Sequence, residues 1–287
     1  MIRWPDTLIR ELAERRAIII VGAGASANCT SSAGTRLPTW QLLLDNLATE
    51  FLDPAQRADF DSYVAKERFL EAAEIVITAA NATGRGSDYS EMIRRTFDHR
   101  PFDVGQMYKD IVSIDSRVVI SANFDEILDN YCRNFPDHAY SVCQYYEDHG
   151  FKDVRSSRRL LLKAHGSTTD ITRIILTRSE FYKARQQYGR FYELLGSLFL
   201  TNTILFIGHS IRDPDLSLLL EYASIIAPSN HPHYALVEDG RPQIEYDIFK
   251  RTNNIETLRY PQGQHHEAVE ALSQLALAVE ALRSSSP

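Results

Sequence analysis

The sequence predicts an α/β protein built on a doubly wound, mostly parallel sheet that carries an all-helical insertion. Three observations support this. Short apolar runs, polar turns and amphipathic stretches alternate along most of the 287 residues, the pattern of a layered parallel sheet. Four of the apolar runs lead directly into polar or glycine-containing turns: Ala17-Ile-Ile-Ile-Val21 into Gly22-Ala-Gly-Ala-Ser26, Arg117-Val-Val-Ile-Ser121 into Asn123-Phe-Asp125, Leu160-Leu-Leu-Lys163 into His165-Gly-Ser167, and Thr203-Ile-Leu-Phe-Ile207 into Gly208-His-Ser-Ile-Arg-Asp213. Residues 54–113, by contrast, show helical periods and no convincing strand. Ligands of open parallel sheets bind at the carboxyl ends of the strands, so the four turns are expected to meet in one crevice.

Taken in order, Asp6 is expected to cap a first helix whose apolar positions are Leu8, Ile9 and Leu12. The run 17–21 is apolar throughout, as in a strand covered on both faces. A polar loop follows from Asn28 to Thr39, and Thr39 is expected to cap a helix bearing Trp40, Leu43, Leu44, Leu47 and Phe51. Within the insertion Leu70, Ala73, Glu74 and Ile77 share a helical face, and Gly84-Arg-Gly-Ser87 separates that helix from the next. Strands are expected at 117–121, 160–163, 203–207, 232–237 and 255–259, then an amphipathic helix near 265–282. One domain over 1–283 results, with 284–287 a frayed tail.

Composition bounds the function. Hydrophobic content of 44% and aromatic content of 10% are those of a globular chain. The net charge of −7 argues against a broad nucleic-acid or anionic-membrane surface, and the cluster Arg155, Arg158, Arg159 and Lys163 reads as a solvated loop. No secretory leader or membrane-spanning run is evident. Cys29, Cys132 and Cys143 show no Cys-x-x-Cys pairing, so reduced thiols, a cytoplasmic location and no bound metal are expected.

Each turn has a chemical and a bland reading. Gly22 and Gly24 let a backbone approach a diphosphate, or simply close a strand–loop turn. The usual dinucleotide fingerprint is incomplete, because position 27 is Ala and Asp45, at the spacing of the ribose-binding acid, lies inside a helix. Asn123 either faces a ligand or caps a helix beginning at Phe124. His165, beside a glycine turn, is the side chain best suited to accept a proton at neutral pH. Gly208-His-Ser210 is not a hydrolase nucleophile elbow, since Arg212 stands where glycine is needed.

Together with Leu37-Pro-Thr-Trp40, these motifs give the chain a resemblance to the Sir2 (sirtuin) family over about residues 15–240, closest to its bacterial Sir2-like antiviral-defence branch. The resemblance implies a Rossmann-like sheet and NAD⁺ as substrate. It implies that Gly22, Ala23, Gly24 and Ser26 hold the diphosphate, that Asn123 and Asp125 line the nicotinamide-ribose pocket, that His165 is the catalytic base, and that Gly208, His209, Ser210 and Asp213 contact the cofactor's adenosine half. The four-cysteine zinc module of the deacetylases is missing, and Pro38-Thr-Trp40 replaces their Asp-Phe-Arg segment. NAD⁺ hydrolysis to nicotinamide and ADP-ribose is therefore expected. Protein deacylation, ADP-ribosyl transfer and non-catalytic NAD⁺ or ADP-ribose sensing through a partner are the alternatives.

A hydrolase of a central cofactor has to be gated. These residues show no second glycine turn, zinc module or long linker, so control is expected from a homo-oligomer or a separate protein meeting residues 54–113 or the last helix. By resemblance to two-gene defence systems, that protein is a HerA-type ATPase or an Argonaute-like partner. Elemental analysis of the purified chain is expected to find no stoichiometric zinc. One zinc per chain held by the cysteines would restore the deacylase reading.

Overall fold

The computed structural model describes residues 2–97, 102–135, 138–211 and 214–285. Helix α1 (Asp6–Ala13) leads into β1 (Ala17–Val21), the one-turn α2 (Ala23–Ser26) and the short β2 (Thr30–Ser31). Four helices follow: α3 (Trp40–Phe51), α4 (Pro54–Ala65), α5 (Phe69–Ala82) and α6 (Gly86–Thr96). The chain returns through β3 (Phe102–Asp103) and α7 (Gln106–Ser113) to β4 (Val118–Ser121), α8 (Ile127–Arg133), β5 (Tyr140–Gln144), α9 (His149–Asp153) and β6 (Arg159–Lys163). After a 3-10 turn come α10 (Arg178–Gln187), α11 (Gly189–Thr201), β7 (Thr203–Ile207), α12 (Pro214–Ile226), β8 (His233–Glu238), α13 (Gln243–Thr252), β9 (Ile255–Tyr260) and α14 (His265–Ser285).

Seven strands form one wholly parallel sheet in the order β5-β6-β4-β1-β7-β8-β9. From β1 the chain moves to β4 on one side, whereas β7 lies on the other side of β1 and leads outward to β8 and β9. The winding direction thus reverses between β1 and β7, and a crevice opens beyond their carboxyl ends. Every residue of β1 is buried. Ala17, Ile19 and Val21 pack with Leu8, Leu12, Ile111, Leu272 and Leu275 of α1, α7 and α14. Ile18 and Ile20 join Leu195, Phe199 and Leu220 on the opposite face. Cover on both faces is why this strand reads as an unbroken apolar run.

Helices α3 to α6 build a separate core from Leu43, Phe60, Val76 and Ile93, which closes against Phe124 and Leu176 at the carboxyl edge of the sheet. Helix α7 instead contributes Tyr108 and Ile111 to the core of the sheet itself. The helical module therefore sits above the strand ends as one wall of the crevice.

Several local expectations change. Asp6 is the first helical residue, and Pro5 is the N-cap with no side-chain bond. The Asp6 carboxylate acts on the helix dipole instead. Thr39 does cap α3, accepting from the Leu42 amide. The loop 28–39 and the stretch 54–113 each contain a two-residue strand, β2 and β3, paired antiparallel. Strand β5 was not expected, because Tyr140-Ser-Val-Cys-Gln144 is a partly polar edge strand with one neighbour, β6. Ser284 and Ser285 are helical rather than frayed, because Arg283 donates to the carbonyls of Ala13 at 2.9 Å and Leu12 at 2.7 Å and ties α14 to α1. The rest of the tail lies outside the described residues.

The basic cluster divides: Arg155 and Arg158 are exposed, as a solvated loop implies, whereas Arg159 and Lys163 are not. Arg159 binds Asp115, Lys163 is fully buried against Asp129, and Arg158 faces Asp153. Among the described residues no helix is long and apolar enough to cross a membrane.

At the start of β8, His233 is buried and its Nδ1 accepts the Ile204 amide at 3.1 Å. Burial lowers its pKa from 6.5 to about 4, so the folded ring stays neutral where an unfolded one takes up a proton. Stability is thus expected to fall as pH drops from 6.5 toward about 4 and to level off below, a contribution on the order of 3 kcal/mol. Urea denaturation across this range checks it, with His233→Asn expected to flatten the decline relative to wild type.

Candidate active site

The turns after β1 and β7 meet backbone to backbone. The Gly22 amide donates to the Ile207 carbonyl at 3.0 Å, and the Gly24 amide to the Gly208 carbonyl at 2.9 Å. A Cβ on Gly22 would lie 2.5 Å from the Gly208 oxygen. A Cβ on Gly208, whose φ is +61°, would lie 2.4 Å from the Ala25 nitrogen. Both glycines are therefore required by each other, whatever they do for a ligand. Ile211 closes the second turn with φ +63°, an unusual conformation for a β-branched residue. The Ile211 amide is satisfied by Nδ1 of His209 at 3.0 Å.

Two cavities flank this junction and share Thr39, Gly208, His209 and Ser210 as walls. The first lies over β1, β4 and β6 and measures about 130 Å³. Its polar floor holds Ser26, Asn123, Asp125 and His165, and its opposite wall is Leu37, Pro38, Trp40, Leu43 and Phe97 from the helical module. Gly22 and Ala23 also line it. The second, of about 470 Å³, lies over β7, β8 and β9 and includes Gly24, Arg36, Glu238, Asp239 and Arg241. Ligand pockets ordinarily span ~300–1,000 Å³; the second cavity falls in that range and the first is smaller, with room for only part of a ligand. Of the candidate site residues, Asp213 lies outside the described residues; Gly22, Ala23, Gly24, Ser26, Asn123, Asp125, His165, Gly208, His209 and Ser210 line one or both cavities.

Asn123 is not a helix cap. Helix α8 starts at Ile127 with Glu126 as its N-cap, and it is the Asp125 carboxylate that accepts the Ile127 amide at 3.1 Å. The Asn123 Nδ2 donates to the Gly22 carbonyl at 3.0 Å, to Ser26 Oγ at 2.8 Å and to the Tyr108 hydroxyl at 3.0 Å. A backbone carbonyl can only accept, so the amide nitrogen must face inward and Oδ1 is left toward the cleft. Ser26 Oγ in turn donates to the second Asp125 oxygen at 2.6 Å. Both Asp125 oxygens are thus engaged by the protein.

Lys163, at the end of β6, lies beneath this loop. Its Nζ donates to the Asp125 carbonyl at 2.7 Å and to Asp129 Oδ1 at 3.0 Å, with both side chains buried. Burial pushes the Asp129 carboxyl above its ordinary range against the opposing pull of Lys163. His165 stands two residues beyond Lys163, edge-on to Phe181 at 5.0 Å, and its carbonyl accepts the Ile175 amide at 3.0 Å. The glycine after it has φ +82°, and a Cβ there would lie 2.4 Å from the Arg173 carbonyl oxygen. That contact explains the His-Gly pair.

Motif reading missed Tyr108 and Lys163. Tyr108 lies on α7 with no flanking motif, and Lys163 follows the cations Arg155, Arg158 and Arg159 in the sequence. Their only signal is position, since each sits where an element passes under the cleft. The three cysteines are free and buried, Cys29 and Cys132 on one face of the sheet and Cys143 on the other. Burial raises the Cys29 and Cys143 thiols to about 11, which leaves them protonated and unreactive. Among the described residues one group of possible metal ligands comes together, Cys143, Glu147 and His149, at edge strand β5 and outside the lining of either cavity.

With this geometry in view, residues 117–258 match the family model of the SIR2-like domain. Over that stretch the chain is similar to the SIR2-like family. It is 23% identical over 242 residues to defense-associated sirtuin 2 of Bacillus subtilis, covering 82% of this chain and 22% of that protein. It is 24% identical over 225 residues to the NAD(+) hydrolase ThsA of Enterococcus faecium, covering 77% and 43%. With ThsA of Bacillus cereus (strain MSX-D12) it shares 24% over 255 residues, covering 86% and 49%. The chain spans less than half the length of each of these relatives.

Gly208→Ala is expected to lower stability by about 1–3 kcal/mol or more, because a Cβ there overpacks against backbone that cannot yield. Gly189→Ala, with nothing within 4 Å of the added carbon, is expected to stay within about 0.5 kcal/mol of wild type. Denaturant titration of the two variants separates the cases.

Proposed function

We propose that this SIR2-like chain hydrolyses NAD⁺ to nicotinamide and ADP-ribose as part of a bacterial anti-phage defence system. One observation carries the reading: at the switch point, an asparagine whose amide hydrogens are committed inward turns its carbonyl to the same cleft that His165 lines. The names of the relatives, an NAD(+) hydrolase and a defence-associated sirtuin, support both the substrate and the setting.

In the proposed reaction the bond between the ribose C1′ and the nicotinamide nitrogen breaks, and its electron pair neutralises the pyridinium. The transition state is oxocarbenium-like, as in glycoside hydrolysis. A water oxygen bonds to C1′ and its proton passes to His165. Asn123 Oδ1 accepts from the ribose hydroxyl or from that water and holds it in line. Asp125, with both oxygens engaged by Ser26 and Ile127, supports the loop and supplies a fixed negative potential beside the developing cation. The apolar wall from Leu37 to Leu43 and Phe97 excludes bulk water. The diphosphate crosses the Gly24–Gly208 junction, leaving the adenosine half for the second cavity. Control through self-assembly or a separate partner protein accompanies this reading.

Purified protein is incubated with NAD⁺, alone and with acyl-lysine peptide, and free nicotinamide is followed. Peptide-independent release is expected. His165→Ala and Asn123→Ala are each expected to lower it about 10²–10⁴-fold in folded protein. Release that requires the peptide would favour the deacylase alternative, and binding of NAD⁺ without any release would favour a sensor.

A further inference from the structure

We infer that Tyr108 is a positioning residue for the reaction: its buried hydroxyl, relayed through Ser26 to Asp125, locks the Asn123 side chain with Oδ1 facing the substrate. This rests on the hydrolase reading for its functional consequence and on hydrogen-bond geometry for the relay itself.

Donor and acceptor roles in the relay are fixed by elimination. Asp125 Oδ2 accepts from Ser26 Oγ at 2.6 Å, which uses the only proton Ser26 has. The contact of 2.6 Å between Ser26 Oγ and the Tyr108 hydroxyl must then have Tyr108 as donor. With its own proton spent on Ser26, the Tyr108 oxygen is an acceptor toward Asn123 Nδ2 at 3.0 Å. The sequence Asn123 → Tyr108 → Ser26 → Asp125 thus runs one way and ends on a carboxylate. Tyr108 is fully buried, and burial, followed by the nearby Asp125 charge, holds its hydroxyl proton far above the usual phenol range. It is therefore a permanent donor. Reversing the Asn123 amide would set its oxygen against the Gly22 carbonyl, and Oδ1 could no longer reach the cleft. Helix α7, in the core of the sheet, thereby controls a group on the loop after β4.

Tyr108→Phe removes the hydroxyl and keeps the ring. Nicotinamide release is measured with kcat and KM resolved, and crystal structures of variant and wild type are compared at Asn123. The expected result is a kcat about 10²-fold lower with KM nearly unchanged, since misplacement by about an ångström costs that much. Asn123 is expected in a second or altered rotamer. Ser26→Ala removes the relay's middle member together with its own contact to Asn123 Nδ2, and is expected to lower kcat at least as far, with the double variant falling no further than the larger single loss. It also serves as the test should Tyr108→Phe fold poorly. An unmoved Asn123, or a kcat within about twofold of wild type, would overturn the inference. Wild-type protein inert toward NAD⁺ would contradict the hydrolase reading instead, and the Asn123 rotamer would still decide whether the relay sets its orientation.

Discussion

The contact on which the rest of the structure depends is that between two glycine turns, after β1 and after β7, at the point where the sheet reverses its winding. Two parallel strands can end in backbone contact only if neither turn carries a side chain on the facing side. Gly22, Gly24 and Gly208 satisfy that condition, and side-chain carbon on Gly22 or Gly208 would occupy the other turn's backbone. The same closeness removes bulk from the floor of the crevice. One continuous surface then joins a cavity over β4 and β6 to another over β8 and β9. A dinucleotide has the matching form, with two bulky ends and a slender diphosphate between them.

On the β4 side of that junction, the site is organised by commitment of polar groups rather than by strain. Asn123, Ser26, Tyr108 and Asp125 satisfy one another away from water, and Lys163 fixes the Asp125 backbone from below. A buried network of this kind is rigid when complete and costly when broken. Its members come from four places in the chain: the turn after β1, helix α7, the loop after β4 and the end of β6. Loss of any one is felt by the others. The buried Lys163–Asp129 pair has the same character, with Asp129 Oδ2 left unpartnered as the cost of anchoring the loop.

The sheet was legible because its central strands are covered on both faces. Such strands appear as apolar runs that end abruptly in Gly, Asn or His, and all four motif-bearing turns came together as their positions implied. The outer strand β5 was not legible, since a partly polar edge strand with one neighbour leaves no unbroken apolar signal. The helical stretch was recognisable by period, yet nothing in its sequence told that α7 belongs under the sheet while α4 to α6 form the wall above it. Tyr108 was invisible for the same reason, because its role arises from a long-range crossing of elements. The glycines carry a complementary lesson: their spacing suggested phosphate, whereas the first demand on Gly22 and Gly208 is the approach of one turn to the other.

How one ligand lies across that junction decides whether the two cavities form a single site. A crystal structure of the protein soaked with ADP-ribose measures this most directly. The diphosphate is expected over the Gly24–Gly208 contact, the adenosine in the cavity bounded by Asp239 and Arg241, and the terminal ribose within hydrogen-bond distance of Asn123 Oδ1 beside His165. ADP-ribose confined to one side of the junction, or with its terminal ribose turned away from Asn123 and His165, would contradict this placement.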